Sequence, residues 1–172
     1  VNIKIEPTRA TPSTIEYTKV AGILLFLAIA ATVMGTLDGF NGLEWIRWFI
    51  GGFMIIFGGL KLVGIEVFVK VAPLYDLIAQ LVRPYRYGYP LIQVILGMLF
   101  ILGLAPVFTA LASMIVGLSG LIGMIKILAK RGPIRLSYLG TIIGLRFSTV
   151  SILENTIIVV LSVIMLITSI VA

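Results

Sequence analysis

KILAKRGPIRLSYLGTIIGLRFSTVSILE, residues 126–154, separates two long apolar runs. It carries Lys126, Lys130, Arg131, Arg135 and Arg146 against one acid, Glu154. A continuous apolar run of about 20 residues is long enough to cross a bilayer as a helix. A polar loop between two such runs lies at a membrane surface, and its basic charge bears on which surface. Outward from this loop, 107–128 and 152–171 read as spans. Upstream, 20–37, 45–63 and 89–104 complete the set. The expected fold is an all-α integral membrane bundle of about five transmembrane helices over 20–172. A polar, proline-containing leader, 1–19, precedes it.

Composition agrees with this reading. The chain is 60% hydrophobic and 12% charged, where a soluble domain carries about a quarter charged residues. Cysteine and histidine are both absent. That excludes disulfides, thiol redox chemistry, thiolate or histidine metal ligation and a Ser-His-Asp triad within these residues. Cofactors held by protein thiols or histidines are excluded with them. Sites built from carboxylates alone stay open.

The net charge of +6 reads as topology rather than nucleic-acid binding. With five spans, twelve of the 13 basic residues fall on one side by sequence position, and Arg47 alone on the other. Cytoplasmic loops carry the Lys/Arg excess. The expected placement is therefore a cytoplasmic (inner) membrane, N-terminus inside and C-terminus outside.

Segment 64–83 is too polar for a comfortable span. It contains Glu66, Lys70 and Asp76 around Pro73. It reads as one or two short helices in the interface, broken near Pro73. Tyr85, Tyr87 and Tyr89 then alternate with Arg83 and Arg86, as in a headgroup belt. A groove beside these tyrosines is a candidate site for a quinone or a lipid. Pro90 suits the first turn of the third span.

Small residues recur where helices would pack. Gly51-Gly52 and Gly58-Gly59 lie seven apart, placing both pairs on one face of the second span. Gly117 and Gly120, with Ser113 and Gly123, form a stripe on the fourth. Such faces let neighbouring backbones approach closely. Lys61, near the end of its span, is expected to snorkel to the interface. The other polar candidates are Asp76, Gln93, Glu154 and Asn155. Ser151 and Glu154 match a capping box near the start of the fifth span, so a structural role is preferred for Glu154. Its expected partner is Arg146 or Arg135, and that of Lys61 is Asp76.

Four pieces in order carry a family resemblance: FIGGFMIIFGGLKLVGIEVF (49–68), LYDLIA (74–79), YGYPLIQVILG (87–97) and IRLSYLGTIIGLRFSTVSILEN (134–155). Together they resemble the redox-associated membrane proteins grouped as MauE/DoxX, over most of the chain. The resemblance implies a small helical membrane protein that serves redox enzymes or quinone-linked complexes. The positions of that family's Cys-x-Cys are Leu136 and Tyr138 here, flanking Ser137. Neither can exchange with a disulfide. The acid often found on the Tyr-Pro helix is Gln93, which does not titrate.

The functional expectation is a redox-silent scaffold or accessory subunit of a larger redox or energy-converting membrane complex. Whether it is an enzyme by itself stays open, with the non-catalytic reading preferred. Its expected partners are membrane lipid and other membrane subunits, not nucleic acid. Arg83, Arg86, Lys130, Arg131 and Arg135 are candidate contacts to a partner or to lipid headgroups. The alternative is a small quinone-linked oxidoreductase subunit working without thiols. A small-solute transporter is a poorer alternative, because no broken pair of helices is evident.

Overall fold

The computed structural model describes residues 14–37, 40–131 and 147–171. These form seven helices: α1 (Thr14–Gly35), α2 (Gly42–Val63), α3 (Ile65–Tyr75), α4 (Leu77–Leu81), α5 (Arg83–Leu102), α6 (Pro106–Arg131) and α7 (Phe147–Val171). No strand occurs among the described residues. Five helices, α1, α2, α5, α6 and α7, are long and apolar enough to cross a membrane. The architecture is that of a multi-pass helical membrane protein. Residues 1–13 of the leader, Asp38 and Gly39, and most of the basic loop, with Arg135, Leu136, Tyr138 and Arg146, lie outside the described residues. The side chains of Lys130 and Arg131 do too.

Three spanning helices begin five or six residues before the apolar run that marks them. α1 begins at Thr14, inside the expected leader, α5 at Arg83 and α7 at Phe147. Hydropathy locates the hydrocarbon, whereas the backbone ladder runs on through polar turns at each surface. Pro84, not Pro90, occupies the first turn of α5, and Pro90 lies inside that helix. Asn41 caps α2, its side chain accepting a hydrogen bond from the Leu43 amide at 3.0 Å.

Two antiparallel hairpins make the bundle, α2 along α5 and α6 along α7, and α2 joins them by also touching α7. The glycines set the register. A Cβ at Gly51 would lie 2.7 Å from the Gly97 carbonyl oxygen, and one at Gly58 would lie 3.0 Å from that of Pro90. Seven residues along α2 thus match seven back along α5. Gly117 meets Ile158 and Val159, and Gly120 meets Asn155. The α2 pairs do not share one face, however. Gly52 turns to Leu27 of α1, and Gly59 faces open space. Adjacent helical residues lie about 100° apart, so each pair divides between two directions. Trp45, Phe49, Phe53 and Phe57 stack in sequence along α2, with ring centroids 4.5 to 6.3 Å apart.

Segment 64–83 does form two short helices, but one side of each belongs to the core. Phe68, Val71, Ala72, Tyr75 and Ala79 are buried. The pair packs against α5 and α6. The break falls at Asp76, three residues beyond Pro73, which stays within α3. Asp76 is extended, and its carboxylate caps α4 by accepting the Ala79 amide at 2.9 Å. An aspartate whose side chain accepts from the third amide on is a favoured N-cap, and it marks the start of α4.

Candidate functional site

Lys61 stands near the end of α2, only two residues from Val63. In an α-helix each Cα–Cβ bond tilts towards the N-terminus. A side chain at this end of α2 is therefore directed back into the bundle. Lys61 follows that direction and is 2% exposed, so it does not snorkel to the interface.

Its ammonium meets three groups. Nζ donates to the Gln93 carbonyl oxygen Oε1 at 2.7 Å, to a carboxylate oxygen of Glu154, and at longer range to the Tyr89 hydroxyl at 3.4 Å. Gln93 Nε2 donates to the same Glu154 oxygen at 2.7 Å. Gln93 and Glu154 are both fully buried. One helix thus supplies the cation, a second the amide and a third the carboxylate. Aromatic rings close the site. Nζ lies 4.6 Å from the Tyr89 ring centroid and 5.8 Å from that of Phe68. Phe68 and Tyr89 stack with centroids 5.3 Å apart. A desolvated cation over aromatic faces gains up to about 2 kcal/mol. Through Phe68, α3 covers the ion pair.

The expected pairings are corrected accordingly. Lys61 pairs with Glu154, not Asp76, and the expected Glu154 partners Arg146 and Arg135 lie outside the described residues. Glu154 is no capping residue either. α7 begins at Phe147, which places Glu154 about two turns inside it. Asn155, its neighbour, donates from Nδ2 to the Ser151 carbonyl at 2.7 Å and packs on Gly120.

Asp76 anchors a second polar cluster. Besides capping α4, its Oδ1 accepts from the Ser119 hydroxyl at 2.8 Å, and Ser119 Oγ accepts from the Ile78 amide at 3.0 Å. The α3–α4 break is thereby tied to α6. Beside it, Gly123 lies so close to the Tyr75 carbonyl that a Cβ there would overlap the oxygen. Arg86 adds a tie from α5, donating from Nε to the Ala79 carbonyl at 2.7 Å. Arg83 is exposed.

Burial pushes the Asp76 carboxyl above its ordinary value of 3.8. The Ala79 and Ser119 hydrogen bonds and the Lys61 charge oppose that rise. Tyr85, on α5, is a further titratable group in its electrostatic surroundings. A raised folded-state value means that the native protein holds the proton more firmly than the unfolded chain. The resulting stability is complete below 3.8 and is lost as pH rises through the folded-state value. Wild type is therefore expected to lose melting temperature across that window relative to Asp76→Asn, which keeps an acceptor at the cap without the charge. Asp76→Ala loses the cap and is expected to cost about 1 kcal/mol or more at any pH. Thermal melting in detergent from pH 4 upward checks both. Parallel wild-type and Asp76→Asn curves would show that Asp76 does not titrate on unfolding.

Of the sequence candidates, Lys61, Gln93, Glu154 and Tyr89 come together, and Asp76 forms the neighbouring cluster. Tyr87 is exposed. Tyr85 packs edge-on against Tyr89 with centroids 5.5 Å apart, and its hydroxyl is buried with no hydrogen-bond partner among the described residues. Sequence reasoning missed Ser119 and Phe68. It also missed the Lys61–Glu154 pair, for which a signal existed. In an alternating bundle the end of the second span and the starts of the third and fifth lie at one level.

Comparison of the chain with known protein families, with curated proteins and with solved structures finds no match.

Proposed function

We propose that this protein is a redox-silent scaffold or accessory subunit of a larger membrane complex, of the kind that the MauE/DoxX resemblance implies. One observation carries the reading. Lys61, Gln93 and Glu154 hydrogen-bond one another across three helices. Ionisable groups inside a membrane are functional candidates by default. Here they act as a clasp that holds helices together, a role suited to a structural subunit. Leu136 and Tyr138 supply no thiol couple, which supports the same reading. The partner is then another membrane subunit that meets the bundle within the bilayer or at its basic face.

The orientation belongs to this proposal. Lys61 is withdrawn into the bundle and no longer counts as a surface charge. Eleven basic residues then stand on one side by sequence position, against Arg47 on the other. That is still the positive-inside pattern, with the N-terminus and the basic loop in the cytoplasm of an inner membrane. Because the chain has no cysteine, single cysteines label cleanly. Phe40→Cys and Ser137→Cys should react with an impermeant maleimide from opposite faces of sealed cells. Equal labelling from outside would overturn the arrangement.

The test of the function is native purification with mass spectrometry and cofactor analysis. A stable complex whose redox centres lie in other subunits is the expected result. A solitary chain that reduces a quinone analogue would overturn it. The quinone-linked alternative draws on one observation of its own, the Tyr85 hydroxyl without a partner among the described residues, which could donate to a quinone carbonyl.

A further inference from the structure

At the end of the bundle opposite the Lys61 clasp lies a cavity of about 360 Å³, within the range of small-molecule sites. It opens between the start of α2, the α5–α6 turn and the last turns of α7. Arg47 is its cation. Arg47 Nη2 contacts Glu44 at 3.3 Å, but Nε is buried without a hydrogen-bond partner among the described residues. The side chain as a whole is 29% exposed, so it is the terminal nitrogens that can donate to an anionic oxygen in the cavity.

The turn over the cavity is shaped around the guanidinium. A Cβ at Gly103 would lie 2.8 Å from Arg47 Nη1, and Gly103 has φ of +67°. Ala105, two residues on, has φ of +44°. That region is uncommon for a residue with a side chain. Backbone strain of this kind gathers at ligand clamps.

The rest of the wall favours a positive group. Glu44 offers its carboxylate. The Thr168 and Ser169 hydroxyls donate to carbonyls of their own helix, at 2.9 Å to Ile164 and 2.6 Å to Met165. Their oxygens therefore remain available as acceptors. They stand in the last turn of α7, where the helix dipole favours a cation. Leu43, Pro106 and Met165 supply apolar wall. The cavity thus offers one half-buried cation, several acceptors and an apolar side, at the level where spanning helices end.

We infer that this cavity binds the headgroup of a phospholipid bearing a primary ammonium, with its phosphate on Arg47 and its ammonium at Glu44 and the α7 terminus. Phosphatidylethanolamine has that chemistry. Phosphatidylglycerol lacks the ammonium, and phosphatidylcholine has no N–H to donate. Soluble phosphoethanolamine shares the head without the chains. The lipid is favoured because the cavity has an apolar wall at the membrane boundary.

The test is native mass spectrometry of the full chain in detergent with equal amounts of the three lipids. Phosphatidylethanolamine should be retained over the other two. Arg47→Gln should lower its retention about tenfold or more, the loss of one charge-assisted contact. Glu44→Gln should erase its advantage over phosphatidylglycerol. Ser169→Phe, which fills the cavity and spares the guanidinium, should also release the lipid, and it decides the matter if Arg47→Gln does not fold. Equal retention of all three lipids would overturn the assignment, as would unchanged retention in folded Arg47→Gln or Ser169→Phe. Arg47-dependent binding of phosphoethanolamine without lipid retention would overturn the lipid as occupant.

Discussion

Lys61→Met is expected to cost the folded bundle about 3–5 kcal/mol, the usual consequence of removing one member of a buried ion pair. The cost comes from what is left behind more than from what is lost. Glu154 is 1% exposed, and without Lys61 its carboxylate keeps, among the described residues, the Gln93 amide as its one donor. Glu154→Leu strands the ammonium in the same way. The double variant Lys61→Met with Glu154→Leu is expected to recover most of the loss, because an apolar pair of similar volume leaves no charge to solvate. Thermal melting by size-exclusion fluorescence in detergent reads all three. Single variants that melt with wild type would show that water reaches the pair and that the clasp contributes little. If the double variant melts normally and still copurifies with the native partners, Lys61 and Glu154 serve the fold alone. If it is stable but solitary, the pair also shapes the face that the partner reads.

Much of this architecture was legible in the sequence, because the bilayer imposes a simple rule. A helix crossing hydrocarbon satisfies its own backbone, so apolar length alone locates the spans. Their ends were less legible. Ser148, Thr149 and Ser151 precede the apolar run of α7, and nothing local says that they are helical. That shift of about a turn made Glu154 look like a cap and hid its depth. Lys61 was misread for a related reason. Its nearness to a helix end suggests an interfacial position, whereas the direction of Cβ at a C-terminal end turns it inward. The α3–α4 segment was read as interfacial from its charges. Its apolar face, Phe68, Val71, Ala72 and Tyr75, was equally visible and became core. Choosing between two faces of one amphipathic helix needs the partner surface, which a single sequence does not supply.

The second large effect is expected at Gly123, where the sequence indicates only a small-residue stripe. Gly123→Ala adds one methyl group, and that methyl would overlap the Tyr75 carbonyl oxygen. The obstacle is backbone at the end of α3, so no rotamer change relieves it. Either α6 moves away from the α3–α4 break or the break moves off α6. Both separate Ser119 from Asp76 and from the Ile78 amide. Overpacking of a filled core costs about 1–3 kcal/mol, and each of the two hydrogen bonds adds about 1 kcal/mol. Phe68 rides on the same helix, so the cover over Lys61 loosens as well. Gly59→Ala is the matched control. It is the same substitution in a spanning helix, at a position with nothing within 4 Å. Alanine there is expected to be neutral or to stabilise by about 0.5–1 kcal/mol, through the smaller entropy loss of the helix backbone. Gly123→Ala should therefore melt well below wild type and Gly59→Ala at or above it. Equal melting of the two variants would mean that the α3–α4 break does not rest on α6 in the membrane.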